Sequence, residues 1–106
     1  MSTYISNGCI CVMVPDIDKA EKFYSNVMGL KLLNKSDKQL VYNTIHFTLF
    51  VEKNDVVKPP VPSFTVDNIN EARSELVDAG CEIVDEGNNW MWFKDPFGNV
   101  FDVIEQ

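Results

Sequence analysis

The sequence of 106 residues lacks any run of about 18 apolar residues that would span a membrane, and its start lacks a basic segment followed by an apolar run. Cysteine is scarce: Cys9, Cys11 and Cys81 have no CxxC spacing, so neither a disulfide framework nor a zinc knuckle is predicted. Nine basic residues face sixteen acidic ones, and a net charge of −7 disfavours nucleic acid and anionic membranes as partners. We expect a cytoplasmic protein with free thiols.

The composition is that of a folded domain. Hydrophobic residues make up 45% of the chain and charged residues 24%, which is enough apolar surface for a core and gives no signature of disorder. The length is typical of one domain. We therefore predict a single domain over residues 1–106.

The first half reads as one strand, one helix and three strands. Alternation over residues 9–14 predicts a strand, which Pro15 and Asp16 end. A helix follows over residues 18–28, capped by Asp16 or Asp18 and stopped by Gly29. Three short segments then predict an antiparallel meander: residues 30–34, 39–42 and 45–52.

After a connection at about residues 53–62, which holds three of the five prolines, the same order begins again. A helix is predicted from Asn68 to a stop at Gly80. The strands of this half are predicted at residues 63–66, 82–85, 90–94 and 100–104.

The two halves repeat each other at a fixed offset. Val14, Asp16, Ile17 and Ala20 each match a similar residue 52 positions later, and Gly29 matches Gly80. Such self-similarity indicates a duplicated supersecondary unit whose halves are too small to be stable alone. We predict module one at about 4–54 and module two at about 61–106.

Three sequence motifs carry a family resemblance. VPDIDKAEKFYSNVMGLKLL (residues 14–33), SFTVDNINEARSELVDAGCEIV (63–84) and KDPFGNVFDVIE (94–105) resemble the vicinal oxygen chelate superfamily, which includes glyoxalases, bleomycin resistance proteins and extradiol dioxygenases. The chain is most similar to the bleomycin-resistance-like branch. The resemblance implies an α+β fold in which two tandem βαβββ modules form a cup-shaped, partly open mixed sheet with helices on its outer face.

The resemblance also implies where a metal would bind. The four ligand positions of metal-dependent relatives map to Cys9, Thr48, Val61 and Asp102, and only Asp102 keeps ligand chemistry cleanly. We therefore expect no metal or other cofactor. A divalent metal held irregularly by Cys9, His46 and Asp102 is the alternative.

The candidate site residues are those expected to face the cup. Asp102 and His46 are the candidate catalytic residues, because a carboxylate in a concave apolar site needs a partner and His46 should share a face with Thr48. The aromatic strand around Trp90 and Trp92 suits a planar or cationic ligand. The predicted ligand-binding residues are Cys9, Cys11, Met13, His46, Thr48, Phe50, Ser63, Trp90, Trp92 and Asp102.

The function that we expect is metal-independent binding or sequestration of a small cationic or aromatic compound by a homodimer. The competing function is that of an enzyme: a glyoxalase-like lyase or isomerase, or a dioxygenase, that uses a degenerate metal site or Asp102 and His46 as acid and base. A third reading is a structural or regulatory dimer without ligand.

Overall fold

A computed structural model describes residues 2–106, and over them the order strand, helix, three strands occurs twice. The fold is α+β, made of two βαβββ modules. Among the described residues, no helix is long and apolar enough to span a membrane. The elements are β1 (Ile5–Val14), α1 (Ile17–Glu21), a π-helical segment (Lys22–Val27), β2 (Lys31–Lys35), β3 (Gln39–Asn43), β4 (Thr48–Lys53), β5 (Val61–Val66), α2 (Ile69–Asp78), β6 (Glu82–Glu86), β7 (Trp90–Lys94) and β8 (Val100–Glu105).

Contacts divide the chain into two compact units. The first-module unit is Gly8–Pro60, and the second-module unit is Val61–Gln106 together with the segment that ends at Asn7. The start of β1, up to Asn7, thus belongs to the second-module unit, whereas module one was predicted from about residue 4. That exchange depends on contacts far apart in sequence, which local patterns do not report.

Each unit contains four strands in a mixed parallel and antiparallel arrangement. In the first-module unit the strand order is β2-β3-β4-β1, with β1 parallel to β4 and the other pairs antiparallel. In the second-module unit the order is β5-β8-β7-β6, with β5 parallel to β8. The pairing of β2 with β3 shifts register between Leu32 and Asn34, and the pairing of β6 with β7 shifts between Ile83 and Asp85. These two bulges lie 51 residues apart, so the internal repeat includes the irregular positions of the strands as well.

The repeat is confirmed at the starts and stops of the helices. The Asp16 side chain accepts a hydrogen bond from the Lys19 amide at 3.0 Å, and the Asn68 side chain accepts one from the Glu71 amide at 2.9 Å. These N-caps lie 52 residues apart and satisfy amides that have no partner within the helix.

The first helix differs from its prediction. The α-helix ends at Glu21 and continues as a π-helical segment to Val27, with the Met28 amide donating to the Phe23 carbonyl five residues earlier at 3.0 Å. The wider turn accompanies the packing of Tyr24 against Tyr42, whose rings lie 5.9 Å apart. Apolar spacing alone does not distinguish an α from a π turn.

A small core forms where the helices cover one face of each sheet. α1 packs against β3 and β4, and α2 packs against β6 and β8. The opposite face of each sheet is called its helix-free face below. The two clusters of buried residues are Ile17, Ala20, Leu40, Tyr42, Leu49 and Val51 in the first-module unit, and Val66, Ile69, Ala72, Met91, Phe93 and Val103 in the second.

Candidate functional site

Strand register places the polar and aromatic candidates of the second module on one face. Ser63 on β5 pairs with Asp102 on β8, and Asp102 pairs with Trp92 on β7. Directly paired residues share a face, and successive residues alternate between faces. Since Met91 and Val103 lie in the helix-side core, Ser63, Trp92 and Asp102 occupy the helix-free face.

A chain of hydrogen bonds converges on the Asp102 carboxylate. The Asn7 side-chain amide donates to Ser63 Oγ at 2.7 Å, and Ser63 Oγ donates to Asp102 Oδ2 at 2.6 Å. The Trp92 indole N–H and the Val103 amide lie near this carboxylate and favour its charged form. Ser63 is only 6% exposed, so its two hydrogen bonds are well protected from water. We call Asn7, Ser63, Trp92 and Asp102 the Asp102 network.

The environment of Asp102 acts on its ionisation in two opposing ways. Burial raises the pKa of the carboxyl above its ordinary value, because a charge is costly away from water. Hydrogen bonds from Ser63, Trp92 and Val103 favour the charged form, but they do not reverse the shift. Carboxylates with raised pKa values in such settings are typical of binding and catalytic sites.

Trp90 adds a second indole to the same face. It lies two residues from Trp92 and pairs with Ile104 of β8. Its indole occupies the space beside Gly87, where any Cβ would overlap the ring. Gly87 is therefore the residue that lets the Trp90 ring lie against the turn before β7.

Charged side chains flank the network on the neighbouring strands. Asp85 on β6 pairs with Trp92, and Glu82 pairs with Lys94, so that all three charged groups belong to the helix-free face. Among residues 2–106, the ion pairs involve Lys35 with Asp18 and Glu21, and Arg73 with Glu86. Asp102 has no ion-pair partner among these described residues.

The first-module candidates lie on the helix-free face of their own sheet, with one exception. Cys9 pairs with Thr48 and Cys11 with Phe50, while Met13 lies two residues farther along β1. The prediction for His46 was wrong: the residue is exposed in the turn before β4, which begins only at Thr48. Ile45, with a positive φ of 83°, interrupts the extended backbone that the predicted strand would have needed.

The metal positions implied by the resemblance also need one correction. Cys11 pairs with Phe50 as Ser63 pairs with Asp102, and both members of the pair are offset by 52 residues. Phe50, rather than Thr48, is thus the first-module counterpart of Asp102.

The residues at these positions do not fit a metal. Phe50 and Val61 offer no lone pair, and the Asp102 oxygens already accept hydrogen bonds from Ser63 and Trp92. Over residues 2–106, no three His, Cys, Asp or Glu side chains are grouped so that they could hold a metal ion.

Asn7 was not among the predicted site residues. It precedes the alternating part of β1, and its bond to Ser63 joins residues 56 positions apart. No pattern in the sequence identifies that contact, because it depends on the start of β1 packing with the second module.

Comparison with known proteins gives a family match over most of the chain. Residues 8–103 match the model of the Glyoxalase/Bleomycin resistance protein/Dioxygenase superfamily. A search of curated proteins found no match.

Three solved structures illustrate the fold similarity. Homoprotocatechuate 2,3-dioxygenase from Brevibacterium fuscum, in complex with 3,4-dihydroxyphenylacetate, matches at a TM-score of 0.72 and 20% identity over 97% of this chain and 37% of that chain. A Mn(II)-bound glyoxalase from Novosphingobium aromaticivorans matches at 0.71 and 20%, over 99% and 40%. Hypothetical protein BH1468 from Bacillus halodurans C-125 matches at 0.72 and 14%, over 99% and 94%. The present chain therefore spans well under half the length of the dioxygenase and glyoxalase chains.

Proposed function

Because the chain belongs to the Glyoxalase/Bleomycin resistance protein/Dioxygenase superfamily, a fold that serves several unrelated activities, we propose that it is a small-molecule-binding protein. It binds an aromatic compound on the helix-free face of the second-module sheet, and it does so without a metal ion. Sequestration of the compound, rather than its chemical conversion, is the activity.

The Asp102 network is the observation that carries this proposal. It combines a partly buried carboxylate, a buried hydroxyl and an indole N–H on one sheet face, with a second indole two residues away. Aromatic surface with a few well-placed polar groups is what small planar ligands require. The carboxylate is held by Ser63 and Trp92, so its position is fixed before a ligand arrives.

Metal-dependent chemistry is the less favoured alternative. The chain has ligand chemistry at Asp102, but it has a valine at position 61, which the resemblance implies, and Phe50 at the first-module position equivalent to Asp102 by strand register. Acid–base catalysis by Asp102 together with His46 is less favoured, because His46 lies in an exposed turn before β4 and not on the strand predicted for it.

Fluorescence of the intact protein tests the proposal directly. The chain has two tryptophans, Trp90 and Trp92, and both lie on the proposed binding face. A panel of small aromatic compounds, added in the presence of a chelator, is expected to include at least one that changes the tryptophan emission in a saturable way. Absence of any saturable change across the panel, or saturation only after a divalent metal is added, would contradict the proposal.

The expected partner besides the ligand is a second copy of the chain. We include the homodimer in the proposal because the family resemblance implies it. Sedimentation at micromolar concentration tests this part separately, and a monomer would contradict it without affecting the binding of ligand.

A further inference from the structure

We propose that the ligand of the Asp102 network is an organic cation with at least one N–H group, attached to an aromatic or apolar body. This inference rests on the proposed function and narrows its ligand to one charge class. The surroundings of the carboxylate support this assignment in three steps.

The first step is that the neighbours of Asp102 are arranged for a charged carboxylate. The indole N–H of Trp92 and the amide of Val103 can only donate hydrogen bonds. Ser63 could in principle accept, but its oxygen already accepts from Asn7, so its proton points to Asp102 Oδ2 at 2.6 Å. A protonated carboxyl would find no acceptor within this set of donors.

The second step is that the negative charge has no countercharge within the site. Asp102 takes part in none of the ion pairs formed by residues 2–106. On the same sheet face, Lys94 is the one basic group among the four charged residues, and it lies opposite Glu82 on β6. Asp85, on the other side of Trp92, adds a further negative charge. A partly buried carboxylate in such surroundings favours a cation.

The third step concerns the kind of cation. A metal ion would need about three protein ligands, and the residues around Asp102 supply one carboxylate with three hydrogen-bond donors. The Ser63 hydroxyl donates to Oδ2, and a carboxylate accepts about four hydrogen bonds, so the carboxylate has room for a further donor. The indoles of Trp90 and Trp92 lie on the same face, and indole rings attract organic cations and stack on aromatic groups. An ammonium or amidinium group on an aromatic body satisfies both the carboxylate and the rings.

Three isosteric probes test the charge class: benzylamine as the cation, benzyl alcohol as the neutral compound and benzoate as the anion. Each is titrated into the intact protein at about physiological ionic strength, where long-range attraction to the net charge of −7 is screened, and tryptophan emission is recorded. We expect benzylamine to bind at least about tenfold more tightly than benzyl alcohol, and benzoate to bind least.

Variants separate the carboxylate from the general acidity of the protein. Asp102→Asn is expected to remove the preference for benzylamine, while Asp102→Glu retains part of it. Asp78→Asn, on the exposed end of α2, makes the same change in net charge and should leave the preference intact. Thermal melting of each variant establishes that it is folded.

The outcomes distinguish this inference from the proposed function. Equal binding of benzylamine and benzyl alcohol, or a preference that survives in Asp102→Asn, would overturn the cation assignment and leave an aromatic-binding face in place. If benzoate binds best, the assignment fails as well. If none of the three probes binds, the assignment fails, and the wider panel described above decides whether the proposed function survives.

Discussion

Ser63 and Asp102 face each other on parallel strands β5 and β8, and the Ser63 hydroxyl donates to Asp102 Oδ2 across 2.6 Å. The Asn7 amide donates to the same hydroxyl oxygen, so Ser63 accepts from Asn7 and directs its own proton to Asp102. The first and second modules hold Cys11 and Ser63 at equivalent positions, and Phe50 occupies the position in the first module that Asp102 occupies in the second.

Replacing Ser63 by alanine tests the contribution of this bond to stability. Ser63→Ala leaves the partly buried Asn7 amide without its hydroxyl acceptor and Asp102 without one donor. We expect the free energy of unfolding to fall by about 1–3 kcal/mol, the usual cost of unsatisfied polar groups. Urea denaturation measures the change. Ser74→Ala, on the exposed side of α2, is the matched control, and its free energy of unfolding should differ little from that of the wild type. Equal stabilities of the Ser63→Ala variant and the wild type would show that the network contributes nothing to the fold.

The raised pKa of Asp102 predicts a pH dependence of stability. Burial makes the folded state bind the proton more tightly than the unfolded chain does, in spite of hydrogen bonds from Ser63, Trp92 and Val103. This contribution is complete below the unfolded pKa of about 3.9 and is lost as the pH rises through the folded pKa. The stability of the wild type relative to Asp102→Asn should therefore decline as the pH is raised from about 4 to about 7.

Urea denaturation over this pH range measures the difference, and Asp95 provides a control of opposite sign. Burial opposes the ionisation of Asp95, but hydrogen bonds from Asn99, Phe97 and Gly98 lower its pKa overall. Stability relative to Asp95→Asn should accordingly be lost as the pH falls. A flat profile for Asp102, or the same slope for both residues, would be inconsistent with the burial described for Asp102.

Gly87 determines the position of the Trp90 ring. A methyl group at Gly87 would overlap the indole, so Gly87→Ala should displace the ring and destabilise the protein by about 1–3 kcal/mol, as overpacking does. Tryptophan emission and urea denaturation report the two effects. In a variant that also carries Trp90→Phe, Gly87→Ala should lower the free energy of unfolding much less. An unchanged loss in that variant would mean that Gly87 does not accommodate the indole ring.

In the first module, the Tyr42 hydroxyl is buried and shares a hydrogen bond with Ser25 Oγ at 2.9 Å. Its counterpart in the second module, 51 residues later, is Phe93, which fills the same core position without a hydroxyl. Tyr42→Phe should therefore keep the packing and cost only about 0.5–1.5 kcal/mol, measured by urea denaturation. A loss as large as that of Tyr42→Ala would indicate that the hydroxyl, rather than the ring, holds the π-helical segment in place.

The sequence predicts the elements well where local chemistry determines them. Caps at Asp16 and Asn68 and glycines with positive φ at positions 29 and 80 act within a few residues of themselves, and both helix starts were located to within one residue. The π-helical turn and the positive φ of Ile45 were not predictable. They depend on ring packing and turn geometry that hydrophobic spacing does not encode.

The site was predictable in part. The strand register places Ser63, Trp90, Trp92 and Asp102 on one sheet face, whereas the sequence alone left open which face of residues 90–93 belongs to the site. Asn7 could not be found, since its partner is 56 residues away, and His46 was misplaced by an error of three residues in where β4 begins. The strand register also shows that Phe50, and not Thr48, is the residue on β4 equivalent to Asp102 on β8.

Metal content of freshly purified, untagged protein distinguishes an organic ligand at Asp102 from a metal ion at Asp102. The protein is incubated with nickel, zinc, manganese or iron(II), freed of excess metal and measured by inductively coupled plasma mass spectrometry, alongside Asp102→Asn. We predict far less than one ion per chain, with no difference between the two proteins. Occupancy close to one ion per chain that is lost in Asp102→Asn would contradict the account and indicate a metalloprotein.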